Sequence, residues 1–188
     1  MSEPAGPFRR LASEELLRLR TFRLRRDRVA LPDGSERDFA VVEHPGCAVV
    51  VPVDEAGRVL LIRQYRYATG EVTIEVPAGA IDPGESAADC AARELAEETG
   101  LRAGRLEPLG QFYTTDGMSN ELAHLFLARN LGEGEPDRQA GETIEPFWLP
   151  LGDAIRLIQD GAIRCGPTSL ALLLAEARLR ADRRAAPP

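Results

Sequence analysis

The hydrophobic and polar positions of this chain predict a mostly β structure with three helices. Short apolar or alternating runs bounded by turn residues are typical of strands, and helical spacing of apolar residues is typical of helices. The predicted strands are residues 20–29, 38–43, 47–53, 59–66, 72–76, 106–113, 121–127 and 143–150, and the predicted helices are residues 87–99, 151–159 and 167–179. A turn at residues 31–34 joins the first and second strands, and a turn at residues 54–57 joins the third and fourth. We therefore expect each of these two pairs to form a hairpin.

These elements divide the chain into two structured regions. Residues 1–43 carry the first two strands and are expected to form a small antiparallel sheet, which is marginal unless it packs against something else. Residues 44–184 hold the remaining elements and form the main domain. The first few residues and the tail at residues 185–188 are rich in Pro, Ala and Gly, and we expect both to be disordered.

Composition narrows the class of protein. A chain of 188 residues with 44% hydrophobic residues can bury one sizeable core. Its net charge of -7 argues against a nucleic-acid partner, and the arginines of residues 18–28 alternate with apolar residues as on an exposed strand face. No 18-residue apolar run or charged-then-apolar leader occurs, so we expect no membrane span and no secretion signal. Three cysteines without metal-ligand spacing indicate reduced thiols in a cytoplasmic protein.

The helix at residues 87–99 has signals at both ends. Ser86 is a good N-cap with Asp89 as its capping-box partner, and Gly100 can supply a left-handed C-cap. An apolar stripe of small side chains is expected to face a sheet, and it consists of Ala88, Ala91, Ala92 and Leu95.

Three glutamates share an arc beside that stripe. Glu94, Glu97 and Glu98 repel one another by roughly 0.2–0.5 kcal/mol per pair and crowd the negative end of the helix dipole. Arg93 is expected on a different side of the helix and able to serve at most one carboxylate. Clustered carboxylates without Cys or His suit a hard cation such as Mg²⁺ or Mn²⁺. The alternative is a solvated charged face, which is a common use of such a run.

The complete spacing favours the metal. The pattern G-x5-E-x7-R-E-U-x-E-E-x-G-U, with U aliphatic, is matched at every position, by Gly79, Glu85, Arg93, Glu94, Leu95, Glu97, Glu98, Gly100 and Leu101. The chain therefore resembles the Nudix hydrolases. The resemblance implies an α/β/α sandwich on a mixed sheet, preceded here by the small N-terminal sheet, and two or more Mg²⁺ or Mn²⁺ ions in the active site.

The resemblance also implies roles for single residues. Glu94, Glu97 and Glu98 would be metal ligands, with Glu85 as a further ligand or a support for one. Arg93 would orient the glutamates, and the Gly79 carbonyl would help hold a metal. The implied reaction is attack of water on a phosphorus of a diphosphate that is linked to another group.

Residues before the pattern narrow the family. Gln64-Tyr65-Arg66 followed by the stretch Glu75-Val76-Pro77-Ala78-Gly79 resembles the ADP-ribose and nucleotide-sugar pyrophosphatase branch. Arg66 would then grip the diphosphate or ribose phosphate, and Glu75 would contact the substrate or its base.

A loop after the pattern departs from that branch at one position. Gly117 and Met118 would contact the substrate in this loop, but Asp116 stands where ADP-ribose pyrophosphatases usually have proline. The identity of the sugar nucleotide is therefore open.

The general base has more than one candidate. Glu142 lies on the loop where this branch often carries a catalytic glutamate, whereas Glu145 belongs to the following strand and should point to solvent. Glu94 or Glu98 is the alternative, because a glutamate of the pattern is the proposed base in some relatives.

Three functions follow from the resemblance. The first is hydrolysis of ADP-ribose or a related nucleotide sugar to a nucleoside monophosphate and a sugar phosphate. The second is hydrolysis of another diphosphate such as a dinucleotide. The third is a non-catalytic Nudix-like sensor, although such modules commonly lose glutamates that are all present here. The branch also implies a homodimer in which residues 1–43 are exchanged and the partner chain helps to hold the substrate.

Overall fold

The computed structural model describes residues 6–137 and 143–185. The chain divides into two compact units. The first consists of the residues up to 46 together with residues 113–122, and the second consists of residues 47–112 and the residues from 123 onward.

The first unit is built on an antiparallel sheet in the order β1-β2-β3. Its strands are β1 (Arg9–Arg18), β2 (Arg23–Ala30) and β3 (Glu36–Glu43). The predicted turn joins β2 and β3, and the Leu31 N–H donates to the Ser35 carbonyl at 2.8 Å. We did not predict β1, because almost all of its side chains are exposed and a strand without a buried face has no alternation to detect.

The second unit contains two sheets and three helices. Its elements are β4 (Cys47–Pro52), β5 (Arg58–Arg66), β6 (Glu71–Glu75), β7 (Ala78–Ala80), α1 (Ala87–Thr99), β8 (Arg102–Tyr113), β9 (Leu122–Gly132), β10 (Ile144–Pro150), α2 (Leu151–Gln159) and α3 (Gly166–Ala185). One sheet is antiparallel in the order β10-β5-β6, and the other is mixed in the order β7-β4-β9-β8, with β4 and β9 parallel.

The mixed sheet is covered on both faces. Alternate residues of β4 enter two different cores, because successive side chains of a strand point to opposite faces. Val49 and Val51 pack with apolar residues of α2 and α3, whereas Ala48 and Val50 pack with residues of α1. Helices on both sides of a mixed sheet make the predicted α/β/α sandwich.

Most predicted elements are confirmed within a few residues, and two predictions are wrong. β4 and β5 do not form a hairpin: they belong to different sheets and share only an isolated bridge between Val53 and Val59. The turn at residues 54–57 forms as predicted, but β4 instead pairs with β7 and β9, which occupy both of its edges. α3 continues through Ala185, the first residue of the predicted tail, while residues 186–188 lie outside the described residues. Within the described parts of the chain, no helix is long and apolar enough to span a membrane.

Candidate active site

The helix α1 carries the glutamate cluster and has the predicted ends. The Ser86 hydroxyl accepts a hydrogen bond from the Asp89 N–H at 3.1 Å and donates one to the Asp89 carboxylate at 2.6 Å. Gly100 has a φ of 77° and its N–H donates to the Ala96 carbonyl, which gives the left-handed C-cap. These two caps fix where the helix begins and ends relative to β7.

The buried face of α1 agrees only in part with the predicted apolar stripe, of which Ala91 and Leu95 are buried. Ala88 and Ala92 are exposed. The buried residues of the helix are Cys90, Ala91, Glu94, Leu95 and Glu98. Alanine is weakly apolar and therefore defines a helix face poorly. The segment before α1, which includes β7, covers the side of the helix that carries Glu94 and Glu98. Cys90 is a packing residue of this face, as expected.

Arg93 pairs with several carboxylates rather than at most one, so that prediction is wrong. Its Nε and Nη2 donate to the Glu85 carboxylate at 2.8 and 2.9 Å, and Nη1 donates to Glu94 at 2.5 Å and to Glu97 at 3.3 Å. Helical angles locate the Cβ atom, but the long side chain carries its five N–H donors well beyond it. Hydrogen bonds with Glu85 are the main cause of an Arg93 pKa far above its ordinary value, and they lower the pKa of Glu85 to about 2.

Two glutamates of the cluster are buried. The exposed fraction is 7% for Glu94 and 3% for Glu98, whereas Glu97 is half-buried. The Ala78 N–H donates to Glu98 Oε2 at 3.3 Å. Burying a carboxylate is costly unless charges or hydrogen bonds compensate it. Arg93 and the backbone near β7 therefore hold the cluster in place.

Gly79 leaves room for one of these carboxylates. It lies in β7 opposite Ala48 of β4, and a Cβ atom at Gly79 would overlap the Glu94 carboxylate. A side chain at this position would push Glu94 away. Glycine is therefore favoured here by the close approach of a side chain and not by an unusual φ angle.

The residues around α1 suit a hard cation in type. Glu85, Glu94, Glu97 and Glu98 with the Gly79 carbonyl offer only oxygen donors, the ligands that Mg²⁺ and Mn²⁺ prefer. In residues 6–137 and 143–185, no group of three or more His, Cys, Asp or Glu side chains is gathered closely enough to hold a metal. In this structure the Arg93 guanidinium contacts Glu85, Glu94 and Glu97.

Arg66 and Glu75, the two predicted substrate residues of the β5–β6 hairpin, are paired with each other. Arg66 Nε donates to Glu75 Oε1 at 2.8 Å, and Nη2 donates to Oε2 at 2.6 Å. Glu75 is 5% exposed, and the Arg66 side chain is 41% exposed. The Glu98 carboxylate adds to the raised pKa of Arg66, which is caused first by the hydrogen bonds to Glu75. This pair is therefore within electrostatic range of the glutamate cluster.

The loop at residues 113–122 belongs to the first unit. The Val42 N–H donates to the Met118 carbonyl at 2.8 Å, and the His44 N–H donates to Asn120 Oδ1 at 2.9 Å. Asp116, Gly117 and Met118 are all exposed. The loop is thus fastened to the end of β3 while its predicted substrate residues remain accessible within their own unit.

The predicted general base cannot be placed, and two residues near Glu75 were not predicted. Glu142 lies outside the described residues. Glu145 is exposed, as expected of its strand position. Sequence reasoning missed Thr73, whose hydroxyl donates to Glu75, and Cys165, which helps to lower the Glu75 pKa. The period-2 spacing of Thr73 and Glu75 on β6 was an available signal, whereas Cys165 is distant in sequence and gave none.

An all-oxygen carboxylate cluster on a capped helix of an α/β/α sandwich, next to a part-buried Arg–Glu pair, is typical of a phosphate-directed hydrolase. The NUDIX domain matches residues 43–167, and the chain belongs to this family: it is a Nudix hydrolase.

Known proteins resemble the chain over most of its length. The ADP-ribose pyrophosphatase of Bacillus subtilis is 32% identical over 164 residues, which are 86% of this chain and 89% of that protein. The GDP-mannose pyrophosphatase of Cronobacter sakazakii is 34% identical over 161 residues, which are 74% of this chain and 82% of that protein. A crystal structure of an ADP compounds hydrolase matches with a TM-score of 0.84 at 24% identity, covering 97% of this chain and 100% of that one, and confirms the fold.

Proposed function

We propose that this Nudix hydrolase cleaves the diphosphate of ADP-ribose or a related nucleotide sugar to a nucleoside monophosphate and a sugar phosphate. The observation that carries the proposal is the Arg66–Glu75 pair beside the glutamate cluster, since a guanidinium suits bidentate binding of phosphate oxygens. Relatives named for ADP-ribose and GDP-mannose hydrolysis support this substrate class.

Nudix hydrolases generally use a divalent cation such as Mg²⁺. We infer that Glu94, Glu97 and Glu98 hold the cations here, with Glu85 and the Gly79 carbonyl as further donors and two or more ions per site. Bound cations would lower the pKa of the attacking water and offset charge on the diphosphate oxygens. The Ala78 N–H would orient Glu98, and Arg93 would orient Glu85 and Glu94.

Arg66 would bind the substrate, and a glutamate would act as the general base. Arg66 would donate N–H groups to the diphosphate, which fixes the phosphorus for attack. Glu142 is our candidate for taking the proton from water, with Glu94 or Glu98 as the alternative. Gly117 and Met118 stay our predicted substrate contacts.

The first unit supports a proposed homodimer. Its three-stranded sheet exposes several large apolar side chains, and a small sheet of this kind is marginal without a packing partner. The exposed residues in and beside β1 are Phe8, Leu11, Leu16, Leu17 and Leu19. We propose that a second copy covers this surface and that the enzyme is cytoplasmic.

A substrate panel tests the proposed function. Purified protein with Mg²⁺ is given ADP-ribose, UDP-glucose, GDP-mannose, NADH and diadenosine polyphosphates, and products are separated by ion-exchange chromatography. We expect ADP-ribose or another nucleotide sugar to be turned over fastest. Preference for the dinucleotide or the polyphosphates would replace this substrate class, and binding of a panel member without any turnover would favour a sensor.

A further inference from the structure

The Glu75 carboxylate is largely occupied by groups of its own chain. Oε1 accepts from Arg66 Nε at 2.8 Å and from the Thr73 hydroxyl at 2.5 Å, and Oε2 accepts from Arg66 Nη2 at 2.6 Å. An ionised carboxylate offers about four acceptor sites. Because three hydrogen bonds are already made and Glu75 is buried, little of this carboxylate is open to a substrate hydroxyl or base.

Arg66, in contrast, has N–H donors that Glu75 does not use. Glu75 occupies two of the guanidinium N–H groups, and a guanidinium has about five. The Arg66 side chain is 41% exposed, whereas that of Glu75 is 7% exposed. Up to about three N–H donors of Arg66 are thus left for a ligand while Glu75 fixes the plane in which they lie.

The surroundings hold Glu75 in its charged form and in place. Burial alone would raise the pKa of the Glu75 carboxyl, but hydrogen bonds from Arg66, Thr73 and Cys165 and the charge of Arg66 bring it below its ordinary value. The next residue is also tied down, since the Val76 N–H donates to the buried Thr168 hydroxyl of α3 at 3.3 Å. Glu75 therefore stays anionic and rigid near neutral pH.

We propose that Glu75 is a positioning residue that orients Arg66 toward the substrate diphosphate and does not itself contact the substrate. The proposal rests on the proposed function in placing a diphosphate at Arg66. It replaces the expectation from sequence that both residues touch the ligand.

A double-mutant cycle tests this assignment. Steady-state kinetics with ADP-ribose and Mg²⁺ are measured for the wild type, Glu75→Gln, Arg66→Ala and the double variant. If Glu75 acts through Arg66, Glu75→Gln raises KM about tenfold with little change in kcat, and it has less than about a twofold effect once Arg66 is absent. Equal effects of Glu75→Gln in both backgrounds, or an unchanged KM, would overturn the proposal.

Two controls keep the cycle interpretable. Glu71→Gln, on the same hairpin, breaks the exposed ion pair with Arg164 and should leave KM within about twofold. Glu75→Asp keeps the charge and should recover part of the lost affinity. Should Arg66→Ala fail to fold because it leaves a buried charge unpaired, Arg66→Gln replaces it, since an amide can still hydrogen-bond to Glu75.

A binding measurement separates this proposal from the proposed function. Titration calorimetry with ADP in EDTA detects diphosphate binding without turnover. The same non-additive pattern in the affinity for ADP would support the role of Glu75 even in a protein that hydrolyses none of the panel substrates. Additive losses of affinity would contradict it whatever the enzyme hydrolyses.

Discussion

Replacing Gly79 by alanine should disturb the glutamate cluster without replacing any charged residue. The new Cβ would overlap the Glu94 carboxylate, which is the movable end of a side chain, so Glu94 must shift while the backbone stays. A shift would break the 2.5 Å hydrogen bond between Arg93 and Glu94. Hydrogen bonds to charged groups contribute about 1.5–3 kcal/mol, so we expect a loss of stability in that range.

The loss of stability can be measured as a lower melting temperature, and the displacement of Glu94 as a lower kcat. For a domain of this size, about 1 kcal/mol corresponds to roughly 2–4 °C, so Gly79→Ala should melt roughly 3–12 °C lower. We expect kcat with Mg²⁺ to fall at least about tenfold, because Glu94 would be a displaced metal ligand. Differential scanning calorimetry and steady-state kinetics measure the two effects.

Gly152→Ala is the matched control. Apart from its chain neighbours and the backbone of α2 itself, no atom of the described residues lies within 4 Å of a Cβ at Gly152, so this variant should be neutral or up to about 1 kcal/mol more stable, with unchanged kcat. A Gly79→Ala enzyme with wild-type melting temperature and kcat would refute the inferred contact between Gly79 and Glu94.

Four further predictions follow from the site and the proposed assembly. Glu97→Gln and Glu98→Gln should each lower kcat more than about 100-fold while circular dichroism shows the fold intact, and near-wild-type rates in saturating Mg²⁺ would contradict their role as metal ligands. Arg66→Ala should raise KM for ADP-ribose at least about tenfold, and an unchanged KM would remove it from the substrate site. Cys90 is buried, and burial raises its pKa to about 12, so iodoacetamide at pH 8 should leave it unmodified in native protein and modify it in guanidinium, as mass spectrometry can show. Deleting residues 1–43 should abolish dimerisation and most activity, whereas sedimentation of a fully active full-length monomer at micromolar concentration would contradict the homodimer.

The elements that sequence reasoning located best have local signals. The Ser86 N-cap and the Gly100 C-cap lie next to the helix ends they define, so α1 was predicted with its observed bounds. The hydrophobic pattern likewise predicted the positions of β4 and β5. Their pairing was not predicted, because it depends on which strands distant in sequence hydrogen-bond to their edges. The partners of β4 are β7 and β9, and β7 has only three residues, too few to show a periodic pattern.

In the candidate site, too, single residues could be predicted from the sequence, but their contacts could not. Spacing located the glutamates and Arg66, whose residue types indicate their chemistry directly. Their partners could not be predicted, because the reach of the Arg93 side chain and the effect of Cys165 on the Glu75 pKa are properties of the packed structure. Burial of Glu75 was also hidden, since a charged residue near a strand end is usually exposed.

Hydrolysis of ADP-ribose in ¹⁸O-labelled water tests the central claim most directly. With Mg²⁺ present, we expect AMP and ribose phosphate in equal amounts, with one ¹⁸O atom on the phosphate of one of them, because water attacks phosphorus. Glu98→Gln should lose this reaction under the same conditions. Label in a sugar hydroxyl, or wild-type turnover by Glu98→Gln, would contradict a Nudix mechanism at this glutamate cluster.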